Sequence, residues 1–223
     1  MSLAGKLAAK TLPFFGDDHM TYTLYSSLGS GGFAVEAALA KAGAPYTYVE
    51  IDTANQAHKQ PAFLKINPLG QVPAMMLPDG TLMTESAAMV IHIAHLFPGA
   101  NLAPKPGTSA HAKVLRWMLY MACNLYEADL RYYYPARYTT DPAGAGSVKA
   151  AGAAYMDKSF PIIEAGLDPY LAGNDLGIAD VYLAMLTTWS PEPLKSAKFA
   201  ALRAAVAADH AYGPVWLRHG MVA

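Results

Sequence analysis

The sequence predicts an α/β unit followed by an all-α unit, and three observations support this prediction. Residues 20–97 alternate between segments of β-branched and aromatic residues and segments of helix formers, which is typical of α/β proteins. Residues 98–107 contain three prolines and two glycines, which is typical of a linker between domains. From residue 108 to residue 223 the β-type segments disappear and helical patterns remain.

The chain is expected to begin its fold with a β-α-β unit. Residues 22–25 are rich in β formers, and residues 33–42 favour a helix that ends at Gly43. Residues 46–51 are again aromatic and β-branched and form the second predicted strand. Because the two strands are joined by a helix, we expect them to pair in parallel.

A short helix, a hairpin and a longer helix complete the N-terminal unit. Residues 61–65 can form one helical turn, and residues 74–77 and 81–83 flank the turn signal Pro78-Asp79-Gly80. Residues 85–96 repeat apolar side chains at three- and four-residue spacing, which predicts a helix. The order βαβαββα over about 80 residues matches the thioredoxin-like layout.

Helical patterns fill the rest of the chain. They lie at residues 109–131, 147–166, 177–188, 194–210 and 212–219. The first is apolar over much of its circumference, so we expect burial on more than one side, with Cys123 as a small core residue. Pro161 lies inside the second helix and predicts a kink.

Composition indicates a well-buried globular protein. Apolar residues make up 53% of the chain and charged residues 15%, and the net charge of −1 gives no sign of a nucleic-acid partner. An uninterrupted apolar run of about 18 residues, as a membrane span requires, does not occur. The single cysteine excludes an internal disulfide and favours a reducing compartment, the cytoplasm.

Residues 1–19 are expected to be a leader or extension outside the fold, derived from a tag or loosely ordered. Lys6 and Lys10 interrupt its apolar residues, and no small-residue cleavage site follows a long apolar core. The segment therefore does not match a secretory signal peptide.

Residues 66–75 (INPLGQVPAM) and 84–88 (TESAA) together predict a receptor for a peptide-like ligand. The Val72-Pro73 bond lies at a loop-to-strand junction and is a good place for a cis peptide, because only X-Pro bonds reach cis at low cost. The backbone of Val72 is then free to pair with an extended ligand. Glu85 and Ser86 add an acceptor and a hydroxyl at a helix start, where carboxylates bind well.

Four segments in order give the chain its resemblance to the cytosolic glutathione S-transferases, over about residues 21–210. They are residues 63–73 (FLKINPLGQVP), 84–86 (TES), 24–30 (LYSSLGS) and 173–183 (GNDLGIADVYL). Leu28 stands where the family has a proline, and Gly31 stands where some bacterial members have a cysteine. Gly177 replaces the Ser or Thr that caps the buried helix, although Asp180 of the capping box is present.

The resemblance implies a transferase that activates the thiol of glutathione. A free thiol has a pKa of about 8.5, so a hydrogen-bond donor and a helix N-terminus are needed to stabilise the thiolate. By resemblance to serine-type members, Ser30 is the first candidate for the donor and Ser27 the second; Tyr25 or Tyr22 is the third. A simple Gly-Ser turn or helix cap explains Ser30 equally well.

The resemblance also assigns residues to each part of glutathione. Glu85 meets the γ-glutamyl ammonium and Ser86 the carboxylate, while the Val72 backbone pairs with the cysteinyl amide beside Pro73. Gln71 adds a side-chain bond. His58, or Lys59 in its place, faces the glycine carboxylate.

The resemblance further implies a pocket for a hydrophobic electrophile against the helical domain, and a homodimer. The candidate pocket residues are Tyr126, Tyr133, Tyr134 and Trp189. We expect no metal, because His92 and His95 lack a third ligand. Three alternatives stay open. One is a non-catalytic member that binds glutathione or a protein, and another is a specialised glutathione-dependent isomerase, dehalogenase or ether-cleaving enzyme. The third, disfavoured because the loop lacks a cysteine, is a thiol-disulfide reductase.

Overall fold

The computed structural model describes residues 21–222, and the predicted leader at residues 1–19 lies outside them. Its strands are β1 (Tyr22–Ser26), β2 (Tyr46–Glu50), β3 (Ala74–Met76) and β4 (Leu82–Met83). Its helices are α1 (Gly32–Ala42), α2 (Pro61–Leu64), α3 (Ser86–Leu96), α4 (Ser109–Tyr120), α5 (Glu127–Tyr133), α6 (Ala145–Ala165), α7 (Ile178–Thr188), α8 (Ala197–Ala208) and α9 (Tyr212–Arg218).

The four strands form one mixed sheet in the order β2-β1-β3-β4. β1 and β2 run parallel, with Leu24 opposite Tyr48, and β3 runs antiparallel to both β1 and β4. The predicted thioredoxin-like layout is confirmed, as is the all-helical domain after it. Helices α1 and α3 pack against each other.

Helix α1 connects the sheet to the helical domain. Its residues from Gly32 to Leu39 are buried on every side, which requires cover beyond the sheet and α3. This cover comes from α7 and α9, and the Phe33 ring packs edge-on against Trp216 of α9 at 5.4 Å. The N-terminal end of α1, where the candidate serines lie, is therefore built partly by the last helix of the structure.

The predicted helix at 109–131 is continuous but is not α-helical throughout. Met121–Tyr126 is a π-helical segment between α4 and α5, and the helix continues to Tyr133 before Pro135. A π segment inserts an extra residue into the helix. Apolar side chains occur throughout this stretch, so their spacing did not mark the place of the insertion.

Cys123 is exposed, so its prediction as a core residue was wrong. It lies two positions from Met121 and from Leu125, which are both fully buried, and residues two apart point to opposite sides of a helix. Helix α6 runs through Pro161 without ending. Between residues 21 and 222, no helix combines the length and the apolar character needed to cross a bilayer.

Candidate functional site

The end of β1 and the loop that leads to α1 bring the hydroxyls of Ser26 and Ser30 together beside the Ser27 carbonyl. The Ser30 hydroxyl donates to the Ser27 carbonyl at 2.6 Å, accepts from the Gly32 amide at 3.3 Å and lies 3.1 Å from Ser26 Oγ. A Cβ on Gly32 would lie 1.7 Å from Ser26 Oγ, so only glycine lets α1 start this close to Ser26. The Ser30 oxygen thus lies at the helix N-terminus, with its proton directed to a local carbonyl.

Ser27 differs from Ser30 in how its hydroxyl is used. Its oxygen accepts from Thr53 Oγ1 at 3.3 Å, and no acceptor for its own proton lies among the described residues. The side chain is half-buried at the end of β1. Ser27 is therefore free to donate to a ligand without breaking a bond.

The tyrosine alternatives lie on opposite faces of β1. Tyr22 shares the buried face with Leu24 and Ser26, and burial raises the pKa of its hydroxyl. Tyr25 is on the other face, with its ring edge-on to Phe63 at 6.3 Å. Strand alternation therefore buries Tyr22 in the core and leaves Tyr25 partly exposed.

The Val72-Pro73 peptide bond is cis, as predicted. The buried Asn67 side chain closes the preceding loop by donating to the Gln71 carbonyl at 2.8 Å and accepting from the Leu69 amide at 3.2 Å. Neither the amide nor the carbonyl of Val72 has a hydrogen-bond partner within residues 21–222. An extended peptide alongside Val72 can use both groups.

Glu85 and Ser86 form the start of α3 and use their side chains differently. Glu85 has a φ of +65°, a conformation that non-glycine residues rarely adopt, and its side chain is exposed. Ser86 is buried, and its hydroxyl lies 3.0 Å from the Tyr182 hydroxyl of α7. The helical domain thus holds one of the predicted ligand-binding side chains.

His58 lies in a short turn against the loop before Pro73. It is buried, its Nδ1 has no partner within the described part of the chain, and its carbonyl approaches Gly70 closely. Burial, and then the charges of Lys59 and Arg137, lower the pKa of the imidazole. A neutral His58 can offer a ligand carboxylate only a hydrogen bond, whereas the exposed Lys59 beside it can offer a charge.

Three of the four predicted pocket aromatics contact one another, and two of them, Tyr126 and Trp189, also reach the loop of residues 27–31, here called the serine loop. The Tyr126 and Trp189 rings pack edge-on at 5.1 Å, and the Tyr133 hydroxyl donates to the Trp189 carbonyl at 2.6 Å. A Cβ on Gly31 would lie 2.7 Å from the Tyr126 hydroxyl, so this tyrosine reaches the loop itself. Tyr134 is exposed and stacks under Arg137 at 4.0 Å instead.

Three charged or ionisable residues near this site were missed by the sequence reasoning. Glu36 on α1 and His219 after α9 form a buried pair, with His219 Nε2 2.8 Å from Glu36 Oε2. Asp129 on α5 is 2% exposed, and neither of its oxygens has a partner within residues 21–222. Glu36 is the single acidic residue in an apolar predicted helix, which could have marked it as a residue with a buried partner. Nothing in the sequence around His219 indicates its contact.

Two other features lie apart from this arrangement. A cleft lined by Lys41, Gly43, Phe97 and His210 lies at the opposite end of α1 from the serines. Among the described residues, no three His, Cys, Asp or Glu side chains lie close enough together to bind a metal ion.

The fold defines a class of protein: a thioredoxin-like domain joined to an all-helical domain. The family described as glutathione S-transferase, N-terminal domain, matches residues 20–95. Glutathione S-transferase 3 of Zea mays is 30% identical over 164 residues, covering 68% of this chain and 70% of that protein. Glutathione S-transferase GstA of Escherichia coli O157:H7 is 26% identical over 170 residues, 75% of this chain and 81% of that protein.

Solved structures agree with these relatives. A glutathione transferase homologue from Sulfitobacter, with bound glutathione, superposes with a TM-score of 0.83 at 27% identity, covering 91% of this chain and all of that one. The ternary complex of the bacterial glutathione S-transferase BphK superposes with a TM-score of 0.77 at 26% identity, over 89% of this chain and 100% of that one. The chain belongs to the cytosolic-type glutathione S-transferase family.

Proposed function

We propose that this protein is a glutathione transferase that activates the thiol of glutathione for attack on an electrophilic carbon. The observation that carries the proposal is the serine cluster at the N-terminus of α1, close to the aromatic group of Tyr126, Tyr133 and Trp189. The Sulfitobacter homologue with bound glutathione supports glutathione as the co-substrate. A cytoplasmic homodimer is part of the same proposal.

Glutathione would lie as an extended peptide along the loop before Pro73. Val72 would pair with the cysteinyl amide through its free backbone groups, and Gln71 is exposed beside it. Glu85 and Ser86 would receive the γ-glutamyl end at the start of α3. His58, with Lys59 near it, would face the glycine carboxylate.

The reaction requires the thiol to lose its proton to solvent and the sulfur to form a bond with the electrophilic carbon. That carbon either releases a leaving group with its electron pair or opens a double bond that takes up a proton from solvent. Ser30 stabilises the thiolate if its hydroxyl turns from the Ser27 carbonyl towards the sulfur, while Ser27 can donate without such a change. The amides that begin α1 add positive potential at the same place. Tyr126, Tyr133, Tyr134 and Trp189 would hold the electrophile.

The test is a comparison of Ser30→Ala, Ser27→Ala and the double variant, with the exposed Ser147→Ala as control. We expect the double variant to lose on the order of 10- to 100-fold in kcat/KM for conjugation, because a charge-stabilising donor is removed, with glutathione binding retained. Failure of the wild type to bind immobilised glutathione, or full activity in the double variant, would contradict the proposal.

A second candidate is a non-catalytic member that binds glutathione. The bond from the Ser30 hydroxyl to the Ser27 carbonyl favours it, because that proton is already used. This candidate predicts tight glutathione binding with no turnover of any electrophile in a broad panel. A bound thiol with an unshifted pKa would distinguish it from the transferase.

A further inference from the structure

Gly29 lies at the centre of the serine loop and is held through both of its backbone polar groups. Its amide donates to His219 Nδ1 at 3.1 Å, and its carbonyl accepts from Trp189 Nε1 at 3.2 Å. The two partners are 190 and 160 positions away along the chain. The residue between Ser27 and Ser30 is therefore fixed from the helical domain.

The two neighbours of His219 determine which nitrogen carries its proton. The Gly29 amide can only donate, so Nδ1 accepts and Nε2 carries the hydrogen. Nε2 then donates to Glu36 Oε2 at 2.8 Å. The side chain is fully buried between the rings of Phe33 and Tyr48, so the imidazole has no room to take another orientation.

Glu36 is held as an acceptor for this bond. Burial opposes its ionisation, but hydrogen bonds from His219, Arg218 and Tyr46 outweigh burial and lower the pKa of the carboxyl. Because Glu36 belongs to α1, the contact from Glu36 through His219 to Gly29 connects the helix with the loop that precedes it. Loop and helix N-terminus are thereby kept in one arrangement.

We infer that His219 and Trp189 are positioning residues that hold the serine loop at the N-terminus of α1. They act through Gly29, so the direction of the Ser27 and Ser30 hydroxyls towards the thiol depends on two residues of the helical domain. The inference rests on the proposed function for its effect on the thiol, but not for its effect on the loop.

Substitution of His219 by Gln or by Asn removes its two hydrogen bonds one at a time. In His219→Gln the terminal amide takes the place of Nε2, so the Glu36 bond is kept and the Gly29 bond is lost. In His219→Asn the amide takes the place of Nδ1, with the opposite result. Trp189→Phe keeps an aromatic ring but removes the donor to Gly29 together with part of the ring surface that packs against Tyr126. His210→Gln is the control, because His210 is 87% exposed.

The first measurement is hydrogen exchange at the Gly29 amide, which does not depend on catalysis. We expect exchange to be at least about tenfold faster in His219→Gln than in the wild type, because the amide loses its acceptor, and slower in His219→Asn than in His219→Gln. Unchanged exchange in His219→Gln would overturn the inference.

The second measurement is the ultraviolet titration of the thiol of bound glutathione, with the pH profile of kcat/KM. We expect His219→Gln and Trp189→Phe each to raise the thiol pKa by about one unit. The rate is compared only for His219→Gln, since Trp189 also lines the proposed electrophile pocket, and it should fall about tenfold below that pKa. KM for glutathione should change little, and the rate should recover at high pH.

The outcomes separate this inference from the proposed function. If wild-type protein binds glutathione without turnover, the transferase proposal fails, while the Gly29 exchange and the thiol titration still test the loop. If His219→Gln and Trp189→Phe lower only the melting temperature and leave the thiol pKa at the wild-type value, the two residues are structural and the inference is wrong. Should His219→Gln fail to fold, Trp189→Phe alone decides.

Discussion

Asp129 is a carboxylic acid in an environment that opposes its ionisation. Both carboxylate oxygens are buried without a partner within residues 21–222, and burial raises its pKa to about 8. Its charge also raises the pKa of the hydroxyls of Tyr126 and Tyr133, so it lies near the aromatic group. Burial in the folded protein therefore favours the protonated form of Asp129 more than the unfolded chain does.

This raised pKa makes stability depend on pH at a single residue. The pKa of Asp129 in the folded protein lies above its value of about 3.9 in the unfolded chain. The stability of the folded protein that depends on a protonated Asp129 is therefore fully present below pH 4 and is lost as pH rises through 8. Asp129→Asn does not ionise and should therefore gain stability relative to the wild type as pH rises. The measurement is the melting temperature of both proteins from pH 4 to 9.

The matched control for Asp129 is Asp157→Asn, because Asp157 is exposed on α6. Its melting curve should stay parallel to that of the wild type over the same range. If the curve of Asp129→Asn is also parallel, Asp129 is not buried as an acid and the prediction is wrong.

At the scale of elements, the start of α7 differs from the pattern of the family in a way that the structure explains. Gly177 has no capping side chain, and Asp180 compensates by accepting from the Gly177 amide at 3.0 Å and the Leu171 amide at 2.8 Å. A Cβ on Gly177 would lie 2.9 Å from the Leu102 carbonyl. The segment before α4 thus lies so close to Gly177 that it leaves little room for the side chain of a Ser or Thr cap.

Restoring the family residue here should therefore harm the fold. Gly177→Ser would normally gain roughly 1 kcal/mol as a helix cap, but the contact with the Leu102 carbonyl should reverse the sign and cost about 1–2 kcal/mol. Chemical denaturation with Gly99→Ser as control, where a Cβ meets nothing within 4 Å, checks this. A more stable Gly177→Ser would show that the backbone relaxes without cost.

The whole molecule explains which parts of the site the sequence could predict. The loop before Pro73 and the start of α3 were predicted because their signals are contiguous along the chain. The thioredoxin-like order was predicted for the same reason. His219 and its partner Glu36 were missed because they are 183 positions apart, and no local pattern records a contact made only by packing.

The helical domain contacts both segments of the sheet domain that are proposed to bind glutathione. His219 and Trp189 hold the serine loop through Gly29, and Tyr182 of α7 contacts the Ser86 hydroxyl at 3.0 Å. The proposed recognition of glutathione therefore depends on both domains, although most of the predicted glutathione contacts lie in the first domain. Removal of one hydroxyl in α7 should then weaken a ligand bound at α3.

Tyr182→Phe tests this dependence with the smallest possible change. Ser86 loses its only described side-chain partner, so its hydroxyl should become free to turn away from the γ-glutamyl carboxylate. Because one hydrogen bond to a charged group contributes about 1.5–3 kcal/mol, we expect the Kd for glutathione, measured by calorimetry, to rise on the order of tenfold. Tyr212→Phe is the matched control. The buried Tyr212 hydroxyl has no hydrogen-bond partner within residues 21–222, so its removal should leave the Kd unchanged. Equal Kd values for the two variants would mean that Ser86 does not need Tyr182, and that the helical domain supports the site only through the serine loop.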